Sequence, residues 1–298
     1  MSTQTRLAAA NGIEIGFETH GDPQDEPLLL VMGLGSQLVH WPLALVDAFV
    51  DRGFYVIRFD NRDTGLSSKL DADHPGDFLT SFAALSQGED VDVPYRLGDM
   101  ARDAVGVLDE LAIDSAHVVG VSMGGMIAQT AAIEHPTRVR TLTSIMSTTG
   151  EREVGQPTAD AMAALMAPVP RTRDEAIDSA AVTRKVIGSP EHFDEAAVRE
   201  VAAAAYDRCW NPGGTARQLL AIAASGSRAD GLASLRVPTL VIHGDRDPLV
   251  ALSGGERTAA LVPGAELLVL EGMGHDLVPA YIGPIVEAVT SLASRAAV

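Results

Sequence analysis

A serine, an aspartate and a histidine are arranged in this sequence as a nucleophile and the two groups that activate it would be. Ser122 stands at the centre of a Gly-Val-Ser-Met-Gly segment, and Asp247 and His275 follow it in the chain. A serine hydroxyl is a poor nucleophile until a base takes its proton, and that base works best as a histidine oriented by a carboxylate. The order serine, acid, histidine predicts that Ser122 attacks a carbonyl carbon.

The residues around Ser122 predict a sharp turn between a strand and a helix. A β-branched apolar run precedes the serine, and a stretch with little polar surface follows it at 126–132. In such a nucleophile elbow the serine has a strained backbone at the carboxyl edge of a parallel sheet. Gly120 and Gly124 fit this turn, because a Cβ at either position would collide with neighbouring chain. The alternative is a buried glycine-rich turn without chemistry.

Both candidate partners of Ser122 follow a predicted apolar strand. Asp247 comes just after one such strand, and His275 comes just after the last, with glycines before it. Open α/β sheets place their ligands at the carboxyl ends of the strands, so the three side chains are expected to meet there. Asp245 is the alternative acid. We favour Asp247, because it lies deeper in its loop and Pro248 restrains it.

Two backbone N–H groups are candidates for stabilising an oxyanion beside Ser122. The N–H of Met123 begins the helix after the nucleophile, where the helix dipole favours negative charge. The N–H of Leu34 lies between Gly33 and Gly35 in the loop after an apolar strand, where backbone can approach a substrate closely. The alternative for this loop is an ordinary glycine turn.

Strand and helix patterns alternate along most of the chain and predict a doubly wound α/β fold. An antiparallel hairpin is expected at 5–20, and its two strands begin a mostly parallel, eight-stranded sheet. The alternation breaks near residue 148, where four helical segments separated by prolines follow without a convincing strand. We therefore predict a core at 1–147 and 237–298 and an inserted helical cap at 148–236. Residues 68–95 are polar and acidic, and a loop of this length is either functional or disordered.

Composition limits the partners that this chain is expected to bind. The formal net charge of −18 argues against nucleic acid or an anionic membrane surface. Cys209 is the single cysteine, which leaves no intramolecular disulfide and suits a reducing compartment. No stretch approaches the ~18 apolar residues of a membrane span. We predict a cytoplasmic protein that acts on a small molecule and needs neither a metal nor a cofactor, and the oligomeric state stays open.

The motifs together resemble the α/β-hydrolase fold superfamily over nearly the whole chain outside the cap. The residues that carry the resemblance are the elbow around Ser122, Asp247 before a proline, Gly274-His275, and Met32-Gly-Leu-Gly35. Within that superfamily, the loop 60–67, the Met-Gly start of the segment 32–35 and Trp41 resemble the aclacinomycin methylesterase group. The resemblance implies that Arg62 ties the loop near the active site together.

The predicted reaction is hydrolysis of a carboxylic ester through an acyl-enzyme on Ser122. The pocket candidates on the cap are mostly apolar, with few obvious charged ones, which favours an uncharged or bulky hydrophobic ester and includes a methyl ester. The candidate pocket residues are Trp41, Met162, Met166 and Trp210. The same triad fits a lactonase, a carbon–carbon bond hydrolase or a cofactor-free perhydrolase. A ligand receptor without catalysis is the remaining alternative.

Overall fold

One eight-stranded sheet forms the centre of the molecule. The computed structural model describes residues 4–70 and 78–296. The strands are β1 (Arg6–Ala10), β2 (Ile13–His20), β3 (Glu26–Val31), β4 (Phe54–Phe59), β5 (Ala116–Val121), β6 (Val139–Ile145), β7 (Thr239–Gly244) and β8 (Glu266–Leu270).

The strand order is β1-β2-β4-β3-β5-β6-β7-β8, with both pairings of β2 antiparallel and all others parallel. The predicted eight-stranded, mostly parallel sheet is thereby confirmed. Strands β4, β5 and β7 are buried along their whole length, as continuous apolar runs in a sheet covered on both faces should be. The carboxyl ends of β3, β5, β7 and β8 consequently lie at one edge, where the candidate site residues follow them.

Helices cover both faces of the sheet and create two hydrophobic clusters. The helices of this core are α1 (Leu43–Val50), α2 (Phe78–Gln87), α3 (Leu97–Glu110), α4 (Met123–Glu134), α10 (Leu252–Leu261) and α11 (Pro279–Ala296). One cluster contains side chains of α3 and α4, and the other contains side chains of α1 and α11. Helix α2 lies within the long polar segment 68–95, of which residues 71–77 fall outside the described residues.

Five helices lie between β6 and β7 and are called the insertion helices below. They are α5 (Ala159–Leu165), α6 (Arg173–Ile187), α7 (Glu195–Arg208), α8 (Pro212–Ser225) and α9 (Ala229–Ala233). Capping side chains begin three of them: Thr158, Thr172 and Asp194 each accept a hydrogen bond from the N–H three residues later. The sequence analysis did not foresee α9, which has only five residues.

The insertion helices pack in two groups. Helix α6 packs on both α5 and α7, whereas α8 packs on α2 and α3, and α9 packs on α4 and α10. Within the described ranges, no helix has both the length and the apolar character of a membrane span.

Candidate active site

Ser122 lies at the turn between β5 and α4 with φ 56° and ψ −120°. A positive φ is strained for a residue with a Cβ, and the surrounding packing must maintain it. A Cβ built on Gly120 would lie 2.1 Å from the Gly124 carbonyl oxygen, and one built on Gly124 would lie 2.0 Å from the Val31 carbonyl oxygen. Both glycines are therefore required by the turn, in agreement with the sequence analysis.

A continuous chain of hydrogen bonds joins Ser122, His275 and Asp247. The distance from Ser122 Oγ to His275 Nε2 is 2.9 Å, and that from His275 Nδ1 to Asp247 Oδ2 is 2.7 Å. With the proton on Nδ1, the imidazole donates to the carboxylate and leaves Nε2 free to accept the serine proton. Asp245, the alternative acid, instead accepts a hydrogen bond from the backbone N–H of Gly272 at 2.7 Å.

The second carboxylate oxygen of Asp247 is also held. Oδ1 accepts hydrogen bonds from the backbone N–H groups of Leu249 and Val250, each at 2.9 Å. The Asp247 side chain is fully buried, so these donors and His275 replace the water that a carboxylate would otherwise bind. The acid consequently has one orientation, with Oδ2 directed at the histidine.

His243 is a second buried histidine beside this carboxylate. Its Nε2 donates to the Val250 carbonyl at 2.8 Å and lies 3.6 Å from Asp247 Oδ2. Burial lowers the pKa of His243, which keeps the imidazole neutral. This residue therefore supports the loop that carries the acid.

The two candidate oxyanion donors have no acceptor within residues 4–70 and 78–296. Met123 is the first residue of α4, so its N–H has no partner within the helix. In the loop after β3, a Cβ on Gly33 would lie 3.3 Å from Ser122 Cβ, which shows how close this loop runs to the serine. From Leu34 to Leu38, every backbone N–H in this described stretch except that of Leu34 has an acceptor.

Sequence reasoning missed the side chains that hold this loop. Asn61 Nδ2 donates to the Met32 carbonyl at 2.8 Å, before the loop. Gln218, on insertion helix α8, accepts from the Gly35 N–H at 2.8 Å and is fully buried. No local motif marked Gln218, because its partners are far away in the chain.

Arg62 has the structural surroundings that the family resemblance implied. Its guanidinium makes two hydrogen bonds to the Asp103 carboxylate on α3, at 2.6 and 2.7 Å, and lies over the ring of Tyr95. Arg62 and Asp103 are both buried, so the pair joins the loop after β4 to the core.

The four candidate pocket residues differ in how far each is buried. Trp41 is fully buried in the hydrophobic cluster that also contains side chains of α1 and α11. Met162 and Trp210 are 37% and 43% exposed, and the Trp210 ring packs against Tyr206. Met166 is partly buried at the end of α5.

Two known proteins, both named methylesterases, are similar to this chain over nearly its whole length. Rhodomycin D methylesterase DauP of Streptomyces sp. (strain C5) is 31% identical over an alignment of 316 residues that covers 96% of each chain. Rhodomycin D methylesterase DnrP of Streptomyces peucetius is 29% identical over 308 residues, again 96% of each chain.

Solved structures with a similar fold are more distant in sequence. The meta-cleavage product hydrolase CumD of Pseudomonas fluorescens IP01 superposes with a TM-score of 0.75 at 21% identity, covering 98% of both chains. The enol-lactonase of Burkholderia xenovorans LB400 gives 0.72 at 21% identity, covering 97% of this chain and all of the other. The family model described as alpha/beta hydrolase fold matches residues 26–279. The chain therefore belongs to the α/β-hydrolase fold family.

Proposed function

We propose that this protein is a serine carboxylesterase that forms an acyl-enzyme on Ser122. The observation that carries the proposal is the hydrogen-bonded chain from Ser122 through His275 to Asp247, with the serine on a strained elbow. The methylesterase names of the two Streptomyces relatives support hydrolysis of an ester.

The mechanism follows from the directions of these hydrogen bonds. His275 Nε2 takes the proton of Ser122 as Oγ attacks the ester carbonyl, and Asp247 stabilises the resulting imidazolium. The N–H groups of Leu34 and Met123 donate to the tetrahedral oxyanion. His275 then gives its proton to the departing alcohol, and a water activated by the same histidine hydrolyses the acyl-enzyme.

We further propose that residues 148–236 act as a cap that selects the substrate. Met162, Met166 and Trp210 are the pocket candidates on this segment, and Trp41, a fully buried residue of the core, is the fourth. These apolar side chains favour an uncharged or bulky hydrophobic ester, and the names of the relatives support a methyl ester. The single cysteine suits the cytoplasm as the place of action.

The first experiment is hydrolysis of short and medium p-nitrophenyl esters with and without a fluorophosphonate. The proposal expects turnover that the fluorophosphonate blocks, with the adduct mapped to Ser122 by peptide mass spectrometry. Ser122→Ala should abolish turnover and labelling. Ser253→Ala, which removes a hydroxyl elsewhere in the core, is the matched control and should retain both. A wild-type protein that neither turns over nor is labelled would refute the proposal and revive the receptor alternative.

Product analysis separates esterase from the other reactions of the same triad. Methanol release from bulky methyl esters supports the proposed substrate class. Labelling of Ser122 without ester turnover favours a lactone or a carbon–carbon bond, and the solved relatives named enol-lactonase and meta-cleavage product hydrolase motivate assays of both. Peroxide-dependent formation of a peracid identifies a perhydrolase.

A further inference from the structure

The backbone N–H and the backbone carbonyl of His275 both make hydrogen bonds to insertion helix α6. The His275 N–H donates to the Ile187 carbonyl at 2.7 Å, and Arg184 Nη1 donates to the His275 carbonyl at 3.0 Å. Both acceptor and donor belong to the last turn of α6, outside the sheet that carries the histidine loop. The backbone position of His275 therefore depends on that helix.

Ser189, just beyond α6, holds both chain neighbours of His275. Its hydroxyl donates to Asp276 Oδ1 at 2.5 Å and accepts from the Gly274 N–H at 2.9 Å. Its backbone N–H donates to Asp276 Oδ2 at 3.0 Å. Ser189 is fully buried and Asp276 is 7% exposed, so this carboxylate depends on Ser189 in place of water.

The two segments also approach too closely for side chains. A Cβ on Gly274 would lie 2.3 Å from the carbonyl carbon of Gly188, and one on Gly188 would lie 2.4 Å from Asp276 Oδ2. Real Cβ contacts are not this short, so only glycine allows the backbones to meet here. The hydrogen bonds and the close backbone contact thus fix the position of the histidine loop relative to the end of α6.

We propose that Ser189 and Asp276 are positioning residues for His275, so that the insertion sets the place of the general base. The inference rests on the proposed function in that His275 is taken as the base. The mechanism requires His275 Nε2 to stay 2.9 Å from Ser122 Oγ while Nδ1 stays 2.7 Å from Asp247. A displacement of about 1 Å in such a site can lower the rate about 100-fold.

The test compares Ser189→Ala with Ser253→Ala. Ser253 Oγ accepts the Gly155 N–H at 3.0 Å and so also joins the inserted segment to the core, but at α10 instead of the histidine loop. Hydrolysis of a p-nitrophenyl ester gives kcat and KM, with kcat divided by the titrated concentration of active sites. Ser189→Ala should lower kcat roughly 10- to 100-fold and change KM less than about threefold. Ser253→Ala should stay within about twofold of wild type in both.

A second series keeps the test decisive if Ser189→Ala does not fold. Asp276→Asn retains an oxygen for one Ser189 donor, and Asp276→Ala retains none. The proposal expects kcat to fall in the order wild type, Asp276→Asn, Asp276→Ala. Equal kcat for Asp276→Ala and wild type would overturn it.

A measurement without substrate separates this inference from the proposed function. The proton between His275 Nδ1 and Asp247 should give a strongly downfield NMR resonance, which reports the position of the histidine in any folded variant. We expect the resonance in wild type and Ser253→Ala and its loss or broadening in Ser189→Ala. An unchanged resonance and kcat in Ser189→Ala, or equal losses of kcat in the two serine variants, would overturn the inference. Failure of the proposed function would appear separately, as a wild-type protein without turnover or labelling.

Discussion

Asp247→Asn should inactivate the enzyme by reversing the tautomer of His275. Asp247 Oδ1 accepts two backbone N–H groups, from Leu249 and Val250, while Oδ2 accepts from His275 Nδ1. An asparagine oxygen must face the two backbone donors, which turns its NH₂ towards Nδ1. His275 then accepts at Nδ1 and carries its proton on Nε2, where it faces Ser122 and cannot take the serine proton.

The expected loss of kcat follows from the free-energy cost of the opposite orientation of the asparagine amide. Turning the asparagine oxygen towards His275 would leave the partly buried Leu249 N–H and the buried Val250 N–H without an acceptor, at about 1 to 3 kcal/mol each. The productive tautomer would therefore be disfavoured by roughly 2 to 6 kcal/mol, which corresponds to a fall in kcat between about 30-fold and 10⁴-fold. In this orientation the amide NH₂ would also point at the two backbone N–H groups, donor against donor. We therefore expect a fall in kcat near 10⁴-fold, as for other triad acids.

The assay measures kcat on a p-nitrophenyl ester, normalised by active-site titration, together with the midpoint of thermal unfolding. Asp245→Asn is the matched control, because an asparagine oxygen can still accept the Gly272 N–H. It should stay within about threefold of wild type. The reasoning is refuted if Asp247→Asn keeps more than a tenth of the wild-type kcat, or if Asp245→Asn loses more activity than Asp247→Asn does.

Three further predictions test the oxyanion loop, the elbow and a buried histidine. Gln218→Met removes the acceptor of the Gly35 N–H and should lower kcat roughly tenfold with little change in KM; kinetics that match wild type would contradict this. Gly124→Ala places a Cβ against the Val31 carbonyl oxygen and should lower the free energy of unfolding by about 3 kcal/mol or more, measured in urea. Burial lowers the pKa of His117 to about 4, below the 6.5 of the unfolded chain. The stability that the neutral, buried imidazole contributes is therefore present above pH 6.5 and is lost as pH falls towards 4. His117→Gln should reduce that loss in denaturant titrations at several pH values, and an unchanged pH dependence would show that this histidine is not its source.

The fold was largely predictable because its strands are continuous apolar runs. The apolar run at 54–59, for example, forms β4, which is buried at every position. Helix starts were less predictable where packing overrides the local pattern. An apolar pattern runs from Trp41 to Val50, but Trp41 is buried in the core at the end of a 3-10 helix and α1 begins two residues later. Helix α9 is too short to produce a clear periodicity.

The candidate triad could be predicted because its residues lie in local patterns at strand ends. The choice of Asp247 over Asp245 rested on the position in the loop, and the structure places Asp247 against His275. The roles of Gln218 and Ser189 were not predicted, because each residue acts through partners that are distant in the chain. Gly35 and Gln218, for example, are 183 residues apart. Buried hydrogen bonds across such distances leave no periodicity or motif in a single sequence.

These two long-range contacts change how the insertion helices should be regarded. An inserted cap is expected to select the substrate and therefore to affect KM. Here α8 holds the loop of one proposed oxyanion donor through Gln218, and the segment after α6 holds the His275 loop through Ser189. Substitutions that enlarge or reshape the insertion should consequently alter kcat as well as KM whenever they move α6 or α8. Substitutions in α5, which packs on α6, should mainly change KM as long as α6 stays in place.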